Sequence, residues 1–483
     1  MSSPIFNFLK EIKLQVFLPR TGGLIYLAIL CIVFARCKKL VTIPEPVNTI
    51  TTSETFSTVA NANSALIGIY NDISIGYNGG NFDFGNGFIT VNCGLSSDEL
   101  NYFIQDPPTL QFQYNSLQAI NPYVNGYLWY PIYFDIYLAN TAVEGLQAST
   151  GISDSLRKQL TGEAKFLRAF CYFYATNLFG DIPLPLASDW NKTETLTRSS
   201  QNLIYNQIKV DLVDAASLLA TDYSVSGGER IRANKWAATA LLARTNLYIK
   251  DWPNAEAQAT LVINNSAQYS LDTLNGVFLA NSSEAILQLQ TNTSFTQYAT
   301  LEGNAIIPPL SKQPSYYCTP QLLASFEPGD RRMLDWIDST IYAGTTYYYP
   351  FKYKVRVGTA GNTVEYYMLL RLAEQFLIRA EARAQQNNTL GAIADLNVIR
   401  ERAGLADLPT TLDQPQTLAA VAQERRIELF AEWGHRWLDL KRTNMASQVL
   451  KPIKIQWTST AQLYPIPESE IQINPRLSQN AGY

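Results

Sequence analysis

Residues 370–402 read LRLAEQFLIRAEARAQQNNTLGAIADLNVIRER, two stretches of helical periodicity separated by a polar turn at 386–388. Ala380 and Ala392 lie on either side of that turn, 12 positions apart. Small residues at this spacing allow two antiparallel helices to approach closely, because no bulky side chain holds their backbones apart. The stretch therefore predicts a helical hairpin and indicates a mainly α-helical fold.

An earlier stretch of the chain repeats this pattern. Within residues 236–263, Ala243 and Ala255 are also 12 positions apart and flank a turn at 251–253. This is the packing pattern of a tetratricopeptide repeat, but 137 positions separate Ala243 from Ala380, which excludes a tandem array. Two interpretations remain open: a tetratricopeptide-like helix-pair scaffold with long insertions, and two unrelated helical hairpins.

Further helices are predicted at 60–73, 128–146, 156–179 and 203–219. The stretch 156–179 is apolar on nearly every face, which is typical of a helix in the core. Gly180 stands where a C-terminal cap is expected, and Pro183 prevents the helix from continuing.

Two segments between the helices, at about 77–122 and 268–366, are rich in Gly, Pro, Asn and aromatic residues. Short strand-like runs at 285–289 and 347–355 predict minor β structure there. Long loops on a rigid scaffold are where binding surfaces usually lie, so we expect these loop-rich insertions to hold the ligand site.

Composition excludes several classes of function. The chain has 483 residues, a net charge of −4 and one histidine, His435, so we expect no metal site, no cofactor and no nucleic-acid partner. Charged residues are 16%, against about 25% in an ordinary soluble domain, whereas aromatic residues are 12%. This balance suits a surface that binds a neutral ligand, although a tyrosine-rich core explains it equally well.

The first 37 residues read as a lipoprotein signal segment. Basic residues precede an apolar run at 24–35, which is too short to span a bilayer comfortably and suits a signal peptide. Cys37 follows the run and is the predicted lipidation site, with Arg36 before it where a small residue is usual and Cys31 as a competing candidate. A plain anchor helix is the alternative.

The remaining chain divides into a tether at 38–53 and a body at 54–483. The body holds Cys93, Cys171 and Cys318, an odd number that cannot all pair internally. Cys171 lies in the most apolar helix, so we expect a buried free thiol there.

The densest polar segment is 424–442, where apolar residues recur at helical spacing and predict one amphipathic helix. Within it, His435 is interpreted as a packing residue. Glu424 and Glu428 share a face and would form the acid/base pair of a glycoside hydrolase. Because arginines crowd the segment and keep carboxylates ionised, a structural ion-pair network is the favoured interpretation, as it is for Arg371, Glu374, Arg379 and Glu381.

Aromatic residues in the two insertions are the candidate ligand contacts. An exposed ring beside Asp, Asn or Arg suits a sugar, because the CH faces stack on the ring and the hydroxyls form hydrogen bonds. Core packing explains any one of these residues as well. The predicted ligand-binding residues are Tyr77, Phe84, Asp98, Tyr102, Tyr316, Tyr317 and Trp336.

Taken together, ordered motifs over nearly the whole mature chain resemble the SusD/RagB family of outer-membrane nutrient-binding lipoproteins. The motifs lie at 37–40, 97–99, 162–169, 179–184, 370–374, 380–382, 396–397, 400–405, 424–442, 465–467 and 479–483. The resemblance implies a mainly α fold of tetratricopeptide-like helix pairs, and it implies no catalysis.

The resemblance also implies partners and a location. It implies a protein lipid-anchored in the outer membrane and facing the cell exterior, which binds an oligosaccharide or a peptide and delivers it to a SusC-like TonB-dependent transporter. Two other hypotheses stay open: a secreted hydrolase that uses Glu424 and Glu428, and a tetratricopeptide adaptor that binds a protein segment in a groove on its helix pairs.

Overall fold

The computed structural model describes residues 51–77, 79, 82–291, 293–294, 296–310 and 312–483. The predictions that concern the signal segment, the lipidation of Cys37 and residues 38–50 of the tether fall outside these residues. No helix in the described part of the chain has both the length and the apolar character needed to cross a bilayer.

Most of the regular structure is helical. The α-helices are α1 (Thr52–Thr55), α2 (Val59–Ile75), α3 (Phe88–Ser96), α4 (Pro107–Tyr114), α5 (Pro122–Val124), α6 (Tyr130–Ala148), α7 (Asp154–Phe179), α8 (Trp190–Thr193), α9 (Gln201–Leu218), α10 (Lys235–Tyr248), α11 (Trp252–Ile263), α12 (Leu301–Ile306), α13 (Pro320–Leu323), α14 (Arg331–Trp336), α15 (Leu372–Gln385), α16 (Thr389–Arg402), α17 (Gln414–Glu428), α18 (His435–Arg442), α19 (Ala446–Leu450) and α20 (Glu468–Ile473).

The described residues also form three two-stranded antiparallel sheets, which pair β1 with β3, β2 with β6 and β4 with β5. The strands are β1 (Leu100–Tyr102), β2 (Ala285–Leu289), β3 (Tyr316–Cys318), β4 (Ile337–Tyr342), β5 (Thr345–Pro350) and β6 (Tyr367–Arg371). The mainly α fold with minor β structure is therefore confirmed.

The larger helices pack one on the next. Helix α7 lies between α6 and α9, α10 packs on α9, and α11 packs on α10. Helix α15 then packs on α11 and also contacts α16 and α17. This succession of packed helices is the tetratricopeptide-like arrangement that the sequence predicts.

The alanines that predicted the two hairpins lie where the helices meet. Ala243, Ala255, Ala380 and Ala392 are all fully buried. The second hairpin begins later than predicted, because Leu370 and Arg371 belong to β6 and the helix starts at Leu372.

The central helix α7 is buried along most of its length, as the sequence predicts. Ser153 caps its first turn by accepting a hydrogen bond from the backbone N–H of Leu156. Gly180 closes it with φ of 79°, a left-handed conformation that favours glycine, and donates to the carbonyl of Thr176. Cys171 on this helix is a buried free thiol, which confirms the prediction.

The prediction of one helix over 424–442 is wrong. Helix α17 ends at Glu428, and α18 begins only at His435. Between them Ala431 and Trp433 have φ of 48° and 46°, conformations that cannot continue a right-handed helix. The apolar residues that suggested one helix are all buried, but Phe430 and Trp433 lie in the break and only Trp437 and Leu440 lie on α18.

Candidate functional site

Strands from the two insertions pair and carry aromatic side chains on both of their sides. In β1 and β3, Asn101 lies opposite Tyr317 and Tyr102 lies opposite Tyr316. The pairing extends beyond the strands, since Phe103 donates its backbone N–H to Ser315 at 2.9 Å. The β4–β5 hairpin packs beside β3.

Six half-buried side chains on these strands and their ends form what we call the strand aromatic cluster: Tyr102, Phe103, Tyr316, Tyr317, Tyr342 and Tyr347. Since successive strand residues point to opposite sides, the cluster has two faces. On one face, Phe103 contacts Tyr342 and Tyr347 with ring centroids 5.8 and 5.5 Å apart, and Tyr317 contacts Tyr347 at 5.2 Å.

The other face holds Tyr102 and Tyr316, whose ring centroids are 5.2 Å apart. Burial raises the pKa of Tyr102, so its hydroxyl stays protonated and can donate a hydrogen bond. Asp106 lies nearby and caps α4, where its carboxylate accepts the backbone N–H of Thr109 at 3.1 Å. This face therefore combines two ring surfaces with hydroxyl and carboxylate groups.

The structure brings together three of the predicted ligand-binding residues, Tyr102, Tyr316 and Tyr317. Tyr342 was not among the predicted residues. Only the packing of the β4–β5 hairpin beside β3 brings it into the cluster, and the sequence carries no sign of that packing. Tyr77 lies elsewhere: its ring packs edge-on against Tyr130, with centroids 4.8 Å apart.

Two other predicted ligand contacts are corrected, because both rings are 0% exposed. Phe84 packs in the core against Phe170 and Tyr174. Trp336 donates its indole N–H to the carbonyl of Leu274 at 2.8 Å. Neither ring face is open to a ligand, so both residues support the scaffold.

Asp98 was also predicted to contact the ligand, but the structure places it in an ion pair with two arginines. Its carboxylate is buried and accepts Nε and Nη2 of Arg436 at 2.7 and 2.9 Å and Nη2 of Arg426 at 2.7 Å. Burial acts to raise the pKa of Asp98, but the two arginines outweigh it and the pKa is lowered. Asp98 thus joins the segment before β1 to α17 and α18.

Glu424 and Glu428 belong to a buried ion-pair network, as the favoured interpretation predicts. Arg332 donates to Glu424 at 2.5 Å and to Glu428 at 3.0 Å, and Arg371 donates to Glu428 at 2.6 Å. Burial acts to raise the pKa of Glu428, but Arg402, Arg371 and Arg332 hold it well below its usual value. Glu428, stabilised in its charged form, is a poor general acid, whereas at Glu424 burial outweighs Arg332 and the pKa is raised.

Other charged residues that were predicted to form ion pairs are paired in the same way. Arg244 donates to both oxygens of Glu374, and Arg379 pairs with Asp395 at 2.6 Å. His435 is buried, and burial lowers its pKa to about 4, so it is a neutral packing residue as predicted. In the part of the chain that the structure describes, no group of three His, Cys, Asp or Glu side chains could hold a metal ion.

Comparison with protein families gives two matches over separate parts of the chain. Residues 335–483 match the model described as SusD family, and residues 87–247 match the model described as starch-binding associating with outer membrane. The first match covers the β4–β5 hairpin and the second covers β1, so both include parts of the strand aromatic cluster.

Relatives and solved structures agree with these matches. A SusD-like protein, P25, of Formosa agariphila is 26% identical over 74% of this chain and 79% of its own length. The starch-binding protein SusD of Bacteroides thetaiotaomicron is 36% identical over 24% of this chain and 21% of its length. A structure described as a laminarin-binding SusD-like protein has a TM-score of 0.74 and 24% identity over 89% of this chain and all of its own.

Proposed function

Because the chain belongs to the SusD/RagB family, we propose that it binds a carbohydrate and that the strand aromatic cluster is the binding site. The observation that carries this proposal is that six half-buried aromatic side chains from both insertions lie on or beside four strands, β1, β3, β4 and β5. Such rings offer large flat faces at a low entropic cost of ordering, because their neighbours already hold them.

The polar groups beside the rings suit hydroxyl-rich ligands. Asn101 lies opposite Tyr317 and is half-buried, so its amide can both donate to and accept from a sugar hydroxyl. The relatives include a starch-binding and a laminarin-binding protein, which are both neutral-glucan binders by their descriptions. A neutral oligosaccharide is therefore the proposed ligand, with peptide as the alternative.

The protein acts by binding alone. The acid/base pair of the hydrolase hypothesis, Glu424 and Glu428, is buried among arginines and is not accessible to a substrate. The adaptor hypothesis places its ligand on the helix pairs, whereas the strand aromatic cluster lies in the insertions.

We also propose that the chain is a lipid-anchored outer-membrane protein that faces the cell exterior and delivers its ligand to a SusC-like TonB-dependent transporter. Support comes from Cys37, which lies just past an apolar run with only Arg36 between them, and from the outer-membrane association in the description of one matching family. In this arrangement residues 1–37 are the signal segment, 38–53 the tether and 54–483 the body.

The binding proposal is tested by calorimetric titration of the full chain, purified in detergent, against malto-oligosaccharides, laminari-oligosaccharides and a peptide library. Saturable binding of a neutral oligosaccharide is the expected result. Binding of peptides without any oligosaccharide would contradict the proposal. Anchoring is tested separately, by radioactive lipid labelling of cells that carry the native chain or Cys37→Ser, and only the native chain should be labelled.

A further inference from the structure

A second aromatic surface lies on helix α6, away from the strands. Tyr123, Tyr127, Tyr130, Phe134 and Tyr137 follow one another at spacings of 4, 3, 4 and 3 along α5, a π-helical turn at Asn125–Trp129, and α6. Residues at these spacings share one side of a helix. Since a helix rises about 1.5 Å per residue, the row is about 21 Å long.

The end of this row opens into a cleft of about 310 Å³ between α6, α8 and α20. We call it the α6 cleft, and its aromatic and acidic lining includes Tyr130, Phe134, Tyr137, Trp190, Glu194 and Glu470. Tyr137 is 48% exposed and Trp190 is 63% exposed, which is unusual for such large rings. Large exposed rings that line a concave surface indicate a binding site.

Two rings of the cleft, Tyr130 and Phe134, are held in place before any ligand binds. Tyr77 packs edge-on against Tyr130 and Phe134, with centroids 4.8 Å away in both cases, and its hydroxyl lies 3.0 Å from that of Tyr130. Glu470 and Trp129 line the same cleft. A preorganised site loses little conformational entropy on binding.

The chemistry of the lining selects the class of ligand. Glu194 and Glu470 line the cleft, and none of the described residues that line it is Lys, Arg or His, so the lining offers an anionic ligand no positively charged partner. A fully apolar ligand would bury the Glu470 carboxylate without a hydroxyl to hydrogen-bond it, which is costly. A protein partner needs about 800 Å² of surface on each side, far more than this cleft offers.

We propose that the α6 cleft is a second carbohydrate-binding site, specific for neutral glycans, that stacks sugar rings on Trp190 and Tyr137. This inference rests on the proposed glycan binding but concerns a surface separate from the strand aromatic cluster. At the other end of the row, burial and the nearby carboxylate of Asp106 raise the pKa of Tyr123.

The test titrates the full chain in detergent with neutral gluco-, manno- and galacto-oligosaccharides and with oligogalacturonate as the anionic comparison. Trp190→Ala and Tyr137→Ala should each weaken neutral-glycan binding by about tenfold. Trp236→Ala, which removes a partly buried indole from α10, is the matched control and should leave affinity unchanged. Oligogalacturonate should not bind the cleft.

The two sites are separated by the variant Tyr317→Ala. The single variant Tyr317→Ala should still bind the oligosaccharide at the cleft, and the double variant Tyr317→Ala/Trp190→Ala should not. In a separate measurement, the bound oligosaccharide should shield the fluorescence of Trp190 from quenching by acrylamide. If Trp190→Ala and Tyr137→Ala both bind as the native protein while Tyr317→Ala is weakened, the cleft inference is overturned and the proposed function stands. If no neutral oligosaccharide binds the native chain, both are overturned.

Discussion

Tyr317 of β3 and Tyr347 of β5 meet edge to face with ring centroids 5.2 Å apart, which joins the β1–β3 pair to the β4–β5 hairpin. Edge-to-face pairs contribute about 0.5–1.5 kcal/mol beyond the area that they bury. The contact therefore fixes the orientation of two rings that we propose to contact the ligand.

The burial of Trp336 predicts a structural effect without a binding effect. Trp336→Phe removes the hydrogen bond to Leu274 and part of the ring volume, so the free energy of unfolding should fall by about 1–3 kcal/mol. Glycan affinity, measured by calorimetry on the folded variant, should be unchanged. A tenfold loss of affinity at unchanged stability would restore Trp336 as a ligand contact.

Glu428 should be essential for stability. Glu428→Gln leaves Arg371 and Arg402 short of a buried counter-charge, so we expect a loss of about 3–5 kcal/mol in urea unfolding. Glu327→Gln, at the more exposed end of the same network, is the matched control and should cost much less. Equal effects of the two substitutions would argue against a buried network.

Asp98 is predicted to act on binding only through the position of β1. Asp98→Asn weakens the pairs with Arg426 and Arg436, and thermal unfolding should occur at a lower temperature. The nearby Asp106→Asn is the control for stability. It should leave the unfolding temperature unchanged, because asparagine caps a helix as well as aspartate does. An Asp98→Asn protein with native stability but no glycan binding would show direct ligand contact instead.

Glu302 predicts a pH dependence of stability. Burial raises its pKa from 4.5 to about 8, so the folded protein holds a proton that the unfolded chain has released between these two values. Its contribution to the free energy of unfolding therefore falls as the pH rises from about 4.5 to about 8. Glu302→Gln should make the free energy of unfolding in urea depend less on pH between about 4.5 and about 8, because glutamine does not titrate. The variant should still fold, since the amide oxygen can accept the hydrogen bond from Tyr367. An unchanged slope would mean that Glu302 is ionised in the folded protein.

The sequence predicted the scaffold well because helix packing leaves a local signal. The alanine pairs, the apolar α7 and its cap at Gly180 are all readable from neighbouring residues. The broken helix near Trp433 was missed, since a positive φ at a non-glycine residue is imposed by tertiary contacts such as the hydrogen bond from its indole to Met368.

The site was only half predictable, for a similar reason. Tyr102, Tyr316 and Tyr317 stand out by composition, but the pairing that brings them together spans two insertions and uses strands of three residues. Such short strands carry no periodicity that could identify them. Phe84 and Trp336 look identical to surface aromatics in the sequence, because residue type alone does not distinguish a core ring from an exposed ring.

The most direct test of the central claim compares two neighbouring tyrosines of β5. Tyr347 contacts the rings of Phe103 and Tyr317, whereas Tyr348 points to the other side of β5 from these contacts and is 41% exposed. In calorimetric titrations with neutral oligosaccharides, Tyr347→Ala should weaken binding by about tenfold, and Tyr348→Ala should leave it unchanged. Equal affinity of the native protein and both variants would contradict the strand aromatic cluster as the binding site.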